Sequence, residues 1–128
     1  MLDHIGFAVN EYDHSKRFYE VALAPLSITL LMEVTPEQTG LGSHAGFGAD
    51  GHPFFWIGNQ GRPASGVHVA FTAQSRAAVD EFYRAAVRVG GRDNGAPGLR
   101  PHYHADYYGA FVLDPDGNNV EAVCHKPE

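Results

Sequence analysis

The chain has 128 residues, 44% hydrophobic and 19% charged, with a net charge of −6 from 15 acids and 9 bases. This is the composition of an ordinary globular domain, and its acidic balance excludes the basic footprint that nucleic acid or an anionic membrane requires. A single cysteine, Cys124, excludes an internal disulfide and a multi-thiolate metal site. No apolar run approaches the roughly 20 residues needed to cross a bilayer. The opening MLDHIGFAVN lacks the basic-then-apolar pattern of a secretory signal, so a cytoplasmic location is expected. The 15 glycines point to many tight turns, and the 8 histidines make metal ligation or proton transfer worth testing.

Asp3–Val9 alternates, with Ile5, Phe7 and Val9 on one face and His4, Gly6 and Ala8 on the other, which predicts a strand. Asp13 or Ser15 is expected to cap a helix running to about Leu23, with Phe18, Tyr19 and Ala22 as its apolar stripe and Pro25 stopping it. Ser27–Val34 is β-branched and apolar and predicts a strand. His44–Ala49 and Pro53–Gly58 flank Asp50-Gly51, a hairpin signal. Gly58–Gly66 (GNQGRPASG) has little that packs and forms the seam. Val67–Ala73 predicts another strand. Ser75 then caps a helix carrying Val79, Phe82, Ala86 and Val89, and Gly90-Gly91 ends it. Leu99–His104 is expected to form a short strand. Tyr107–Leu113 and Asn119–His125 flank the turn Asp114-Pro115-Asp116-Gly117-Asn118.

This order is a duplication. His4-Ile5-Gly6-Phe7 recurs as His68-Val69-Ala70-Phe71, Phe18-Tyr19 as Phe82-Tyr83, and Phe47 as Phe111, each 64 residues later. Asp50-Gly51 matches Asp116-Gly117 at an offset of 66. Each half therefore reads βαβββ: module one over 1–58, a linker over 59–65, and module two over 66–125, forming one domain over 1–128.

The repeat singles out two histidines. His4 is followed on its face by Gly6 and Ala8, and His68 by Ala70 and Thr72, which leaves space beside each imidazole. Glu121 stands mid-strand, four residues after Gly117. Two imidazoles and a carboxylate from three strands can hold a divalent cation and leave positions open for water or substrate. Each residue alone also has a plainer reading: a hydrogen-bonded structural histidine, or a solvated glutamate on an edge strand.

The motifs HIGFAV at 4–9, FYE at 18–20, GVHVAF at 66–71 and DPDGNNVEAV at 114–123 resemble the vicinal oxygen chelate superfamily, the glyoxalase/bleomycin resistance/extradiol dioxygenase group. The resemblance implies an α+β fold: two βαβββ modules in a cupped, partly open mixed sheet with helices on the outside. It implies one divalent ion per site (Zn, Fe, Mn, Ni or Co) held by His4, His68 and Glu121. It also implies a homodimer, with sites completed within one chain or between copies. The module-one position matching Glu121 lies near Phe55, between Phe54 and Trp56, none of which binds a hard cation. Glyoxalase I-like members usually carry a fourth ligand there. The three-ligand set instead resembles extradiol dioxygenases, which are usually longer, and fosfomycin-modifying transferases.

Around that centre, Arg100 to Tyr108 is dense in groups that donate, accept or stack. Arg100 suits an anionic substrate group. His102 or His104 suits a general base or a fourth ligand, and Tyr103 a substrate contact. Phe55 and Trp56 suit an apolar substrate wall, or core packing. Two kinds of function follow. The first is a metal-dependent enzyme chelating vicinal oxygens of a small substrate and stabilising an oxyanion, of lyase or isomerase type, with a short extradiol dioxygenase as its variant. The second is a metal-free drug-binding protein of the bleomycin-resistance kind.

Overall fold

In the computed structural model, which describes residues 1–128 apart from the side chain of Thr39, the chain order repeats once. Strand β1 (Ile5–Ala8) leads into α1 (Tyr12–Leu23), a 3₁₀ turn over Ala24–Leu26, β2 (Thr29–Val34), the single turn α2 (Pro36–Thr39), and the hairpin β3 (His44–Ala49) and β4 (His52–Gly58). After the linker come β5 (His68–Thr72), α3 (Arg76–Arg88), β6 (Arg92–Leu99), β7 (Tyr108–Leu113) and β8 (Asn119–Cys124). Two four-stranded sheets result, ordered β1-β4-β3-β2 and β5-β8-β7-β6. In each, the first and last strands pair in parallel and the rest antiparallel, so the sheets are mixed and the fold is α+β. Neither sheet closes, and β1 and β5 are edge strands.

Most of these elements follow from local chemistry. The β3–β4 turn places Asp50 (φ 53°) and Gly51 (φ 75°) in consecutive left-handed conformations, which a two-residue hairpin of matching twist requires. Ser75 caps α3 by accepting from the Ala78 amide at 3.1 Å. The cap of α1 differs from expectation. Neither Asp13 nor Ser15 caps it; the helix starts at Tyr12 after Glu11, with no side-chain cap. The reason is tertiary. A carboxylate of the distant Asp116 accepts from the Asn10 amide at 3.1 Å and fixes the entry to the helix. Ser15 becomes a buried residue of the helix face, alongside Phe18, Tyr19, Ala22 and Leu23. Strand β2 starts at Thr29 because Ser27 takes a positive φ of 61° to close the 3₁₀ turn. The strand expected at Leu99–His104 lies earlier, at Arg92–Leu99, and residues 101–103 form a turn. The sequence DNGAPGL hides it. It is an edge strand with two register shifts, where proline and glycine are tolerated.

The two helices pack against each other and against one face of each sheet, so the modules share a single core. The Tyr19 ring meets Phe18 at 5.0 Å and Phe55 at 4.9 Å, and Phe55 meets Phe71 of module two at 5.3 Å. Each such aromatic contributes about 1.5–3 kcal/mol through burial. Polar ties reinforce the seam. Asp114 Oδ1 accepts from the Asp116 and Asn118 amides at 2.9 and 2.8 Å, and its Oδ2 accepts from the Tyr19 hydroxyl at 2.5 Å. Asn118 in turn accepts from the Val67 amide at 3.0 Å and donates to the Ala64 carbonyl at 3.1 Å, anchoring the linker.

On the outer side of α1, Lys16 donates to both oxygens of Glu33 at 2.9 Å and Tyr12 donates at 2.8 Å. The hydrogen bond from Lys16, followed by that from Tyr12, holds the Glu33 carboxyl below its usual range. A depressed carboxylate contributes stability above its unfolded pKa and loses it as pH falls through the lower folded value. The pair is partly solvated, so its contribution is under about 1 kcal/mol. The expected result is that Lys16→Met lowers stability slightly at pH 7, and that wild type and variant converge in denaturant titrations as pH falls below the ordinary carboxylate range. A difference unchanged at acid pH would remove the ion pair from the account.

Candidate metal centre

Strand β8 lies between β5 and β7, so its side chains are covered on both flanks. Val120, Ala122 and Cys124 alternate into the shared core, and Glu121 takes the opposite face. Glu121 is nevertheless fully buried. Its Cα partners are Ala70 on β5 and Phe111 on β7, and small Ala70 leaves room beside it. A buried carboxylate without partners costs several kcal/mol. Here both oxygens are met. Oε1 lies 2.7 Å from His68 Nε2, and Oε2 accepts a hydrogen bond from the Tyr107 hydroxyl. Gly109 makes this possible, since a Cβ there would lie 3.2 Å from the Tyr107 ring and 3.4 Å from Glu121 Oε2.

The His68 ring is about half exposed, at 53%. The imidazole thus links a buried anion to the surface. An imidazole nitrogen and a carboxylate oxygen converging at one point are the donor types a divalent cation of intermediate softness prefers, and such a cation would replace the proton shared between them. The residues present fit a metal as a two-donor half-site. Burial, and next the bond to Glu121, push the Tyr107 hydroxyl up to about 12, so it donates rather than ionises at neutral pH.

Arg100 lies on the same face. Its guanidinium sits 5.4 Å from the centre of the Phe111 ring, which in turn lies 6.2 Å from the His68 ring. Two of its N–H groups donate to the Gly98 and Ala96 carbonyls at 2.9 and 2.8 Å. Beyond Tyr107 runs an aromatic rim. Tyr103 meets Tyr107 at 5.0 Å, His102 meets Tyr103 at 4.2 Å, and the His104 ring lies 5.5 Å from His125. His104 Nδ1 accepts from the Asp106 amide at 3.1 Å. His102, Tyr103 and His104 are all exposed.

Module one is arranged differently. His4 is exposed just ahead of β1, and its Nδ1 pairs with Asp3 Oδ1 at 2.7 Å. Among the described residues, no three ligand-type side chains are grouped closely enough to hold an ion, so His4 does not join His68 and Glu121 within one chain. Phe55 is buried in the shared core, while Trp56 turns to the other face and lies over Gly46 and Gly6, where an added Cβ would meet it at 2.8 and 3.1 Å. A cleft of about 550 Å³ is lined by His4 and Ile5 together with His68 to Thr72, and by Leu26, Phe54 and Phe55.

The sequence gives Tyr107 no individual role beyond its place in the Arg100–Tyr108 segment and at the start of the expected strand Tyr107–Leu113. Period two was the available signal, because residues 107, 109 and 111 share the face that Glu121 occupies on the next strand.

A family model described as the Glyoxalase/Bleomycin resistance protein/Dioxygenase superfamily matches residues 1–122. A glyoxalase/bleomycin resistance protein from Albidiferax ferrireducens T118 is similar in structure, with a TM-score of 0.78 at 28% identity over 97% of this chain and 98% of that one. A glyoxalase/bleomycin resistance protein/dioxygenase family enzyme from Burkholderia phytofirmans PsJN shares the fold at 15% identity, with a TM-score of 0.69 and coverage of 97% and 98%. Glyoxalase I from Zea mays shares it at 22% identity and a TM-score of 0.71, but 96% of this chain spans only 45% of that one. No curated protein matches the sequence. With the family model covering almost the whole chain, and duplicated βαβββ units beneath it, the chain belongs to the glyoxalase/bleomycin resistance protein/dioxygenase superfamily.

Proposed function

We propose that the chain is a divalent-metal-dependent enzyme acting on a small substrate with adjacent oxygens. In this reading it works as a homodimer, and each site joins His68 and Glu121 of one copy to His4 of the other. The observation that carries the reading is the 2.7 Å contact between His68 Nε2 and a fully buried Glu121 oxygen. Two further features favour completion by a second copy. His4 stands exposed at the start of an edge strand, and β5, which carries His68, is also an edge strand. Edge strands offer unpaired backbone groups to another chain, and a two-fold axis would make both such contacts at once.

When bound, the ion would act as a Lewis acid toward a negatively charged substrate oxygen. The chain's own groups divide the remaining work. His68 supplies a neutral nitrogen and Glu121 a negative oxygen. Tyr107 occupies Oε2 and so directs Oε1 toward the imidazole. His102 and His104, on the exposed rim, supply an imidazole for proton transfer, as an isomerase or lyase reaction requires. The Trp56 face of the second copy forms the apolar wall opposite. The cleft of about 550 Å³ beside His4 and His68 favours a second reading, in which the protein only sequesters an apolar ligand and binds no metal.

Elemental analysis after loading and desalting separates the two, with about one divalent ion per chain expected for the enzyme. An ion-free protein whose Trp56 fluorescence responds to an apolar ligand regardless of chelator would support sequestration instead. Tyr107→Phe releases Oε2 of Glu121 and is expected to weaken ion affinity by about 10–100-fold, measured by chelator competition. Unchanged affinity would show that Tyr107 does not orient the ligand.

A further inference from the structure

Arg100 is a cation without an anion. Among the described residues its guanidinium makes no ion pair within the chain, although it is only half exposed. It is also held rather than free. The Gly98 and Ala96 carbonyls fix two of its nitrogens, and the Phe111 ring lies 5.4 Å beneath it. Two glycines keep that seat open. A Cβ at Gly98 would stand 3.1 Å from Arg100 Nη1, and one at Gly95 would stand 3.2 Å from Nη2 and 2.8 Å from the Phe111 ring. Backbone carbonyls orient a guanidinium without neutralising it, and a guanidinium has five N–H donors, so donors remain for a ligand. The same Phe111 ring borders His68, so the oriented charge is one phenyl ring from the half-site. Its field also reaches Tyr107, the group bonded to Glu121.

We infer that Arg100 is the specificity-determining residue of the site and that the substrate carries an oxyacid group, a carboxylate or a phosphonate, in addition to the oxygens presented at His68 and Glu121. This rests on the catalytic reading of that face. The anion itself needs only Arg100, so its binding can be measured without the metal.

The test uses the protein as purified and after chelator treatment, with acetate and methylphosphonate as anionic probes and acetamide and dimethyl methylphosphonate as their uncharged counterparts. Binding is followed by NMR shifts at His68, Tyr107 and Phe111. In chelator-treated protein an anion is expected to bind at least about tenfold tighter than its uncharged counterpart, and Arg100→Gln is expected to abolish that preference. Arg100→Lys, which keeps the charge but not the fork, should keep part of it. The tighter of the two anions names the oxyacid. The preference is read in chelator-treated protein, so a failed metal reading and a failed anion reading give different results. Equal binding of charged and uncharged probes, or an unaltered preference in folded Arg100→Gln, would overturn the assignment.

Discussion

His68→Ala is expected to abolish retention of a divalent ion, and to lower the thermal midpoint of the metal-free protein only through the partner that buried Glu121 loses. The side chain is about half exposed at the start of an edge strand, so little packing is lost. What changes is the environment of Glu121. With His68 gone, the buried carboxylate keeps only Tyr107 as a partner, and two donors become one. Structural zinc sites owe about 10–16 kcal/mol of apparent binding free energy to their full ligand set, so loss of a ligand from a three-donor site is expected to move affinity by orders of magnitude. Chelator competition monitored by elemental analysis measures this directly. An unchanged ion content in the variant would remove His68 from the site.

The largest stability loss is expected from Asp114→Ala. Asp114 is buried at 1% exposure and accepts four hydrogen bonds, from the Tyr19 hydroxyl, the Asp116 and Asn118 amides, and Asn118 Nδ2. Removing it strands those donors in a dry seam, and the phenol of Tyr19 is wholly buried. The expected cost is about 3–5 kcal/mol, or a fall of roughly 10–20 °C in Tm for a chain of this size. Asp114→Asn, which keeps the shape and one acceptor, should cost less. Tyr19 adds a pH signature. Burial first, and then the Asp114 charge, push its hydroxyl well above its ordinary value of 10.0. The stability from keeping that proton is present below the unfolded pKa and is lost as pH rises beyond it. A destabilisation below about 1 kcal/mol in Asp114→Ala would mean that the turn does not clamp the modules.

Much of the architecture was legible because duplication wrote it twice. The interval of 64 residues between paired motifs gave the module order, and the alternation around His4 and His68 gave the equivalent first strand of each module, though not its place at the sheet edge. Failures arose where tertiary contacts overrode local signals. Asp116 reaches back to Asn10 and starts α1 before the expected caps, and β6 uses glycine and proline that no strand pattern favours. The turn DPDGNN was legible as a turn. That Asp114 would bind Tyr19, and Asn118 the linker, was not, because those partners are 95 and 54 residues away. At the candidate site, the face carrying His68 and Glu121 could be read from strand alternation, and the structure brings the two together. Their burial depends on β7 and Tyr107, whose place beside Glu121 requires knowing the pairing register. The separation of His4 from them follows from how the modules pack, a property of the whole core rather than of any motif.

The central claim is that one site draws on two copies of the chain, and mixing variants tests it most directly. His4→Ala chains and His68→Ala chains are each expected to bind no ion alone. Unfolded together and refolded as an equal mixture, they are expected to form heterodimers in which one site regains His4 from one copy and His68 with Glu121 from the other. The account predicts recovery of about a quarter of an ion per chain, from random pairing with one intact site in each heterodimer. A mixture as empty of metal as its separate components, with heterodimers shown to be present, would contradict it.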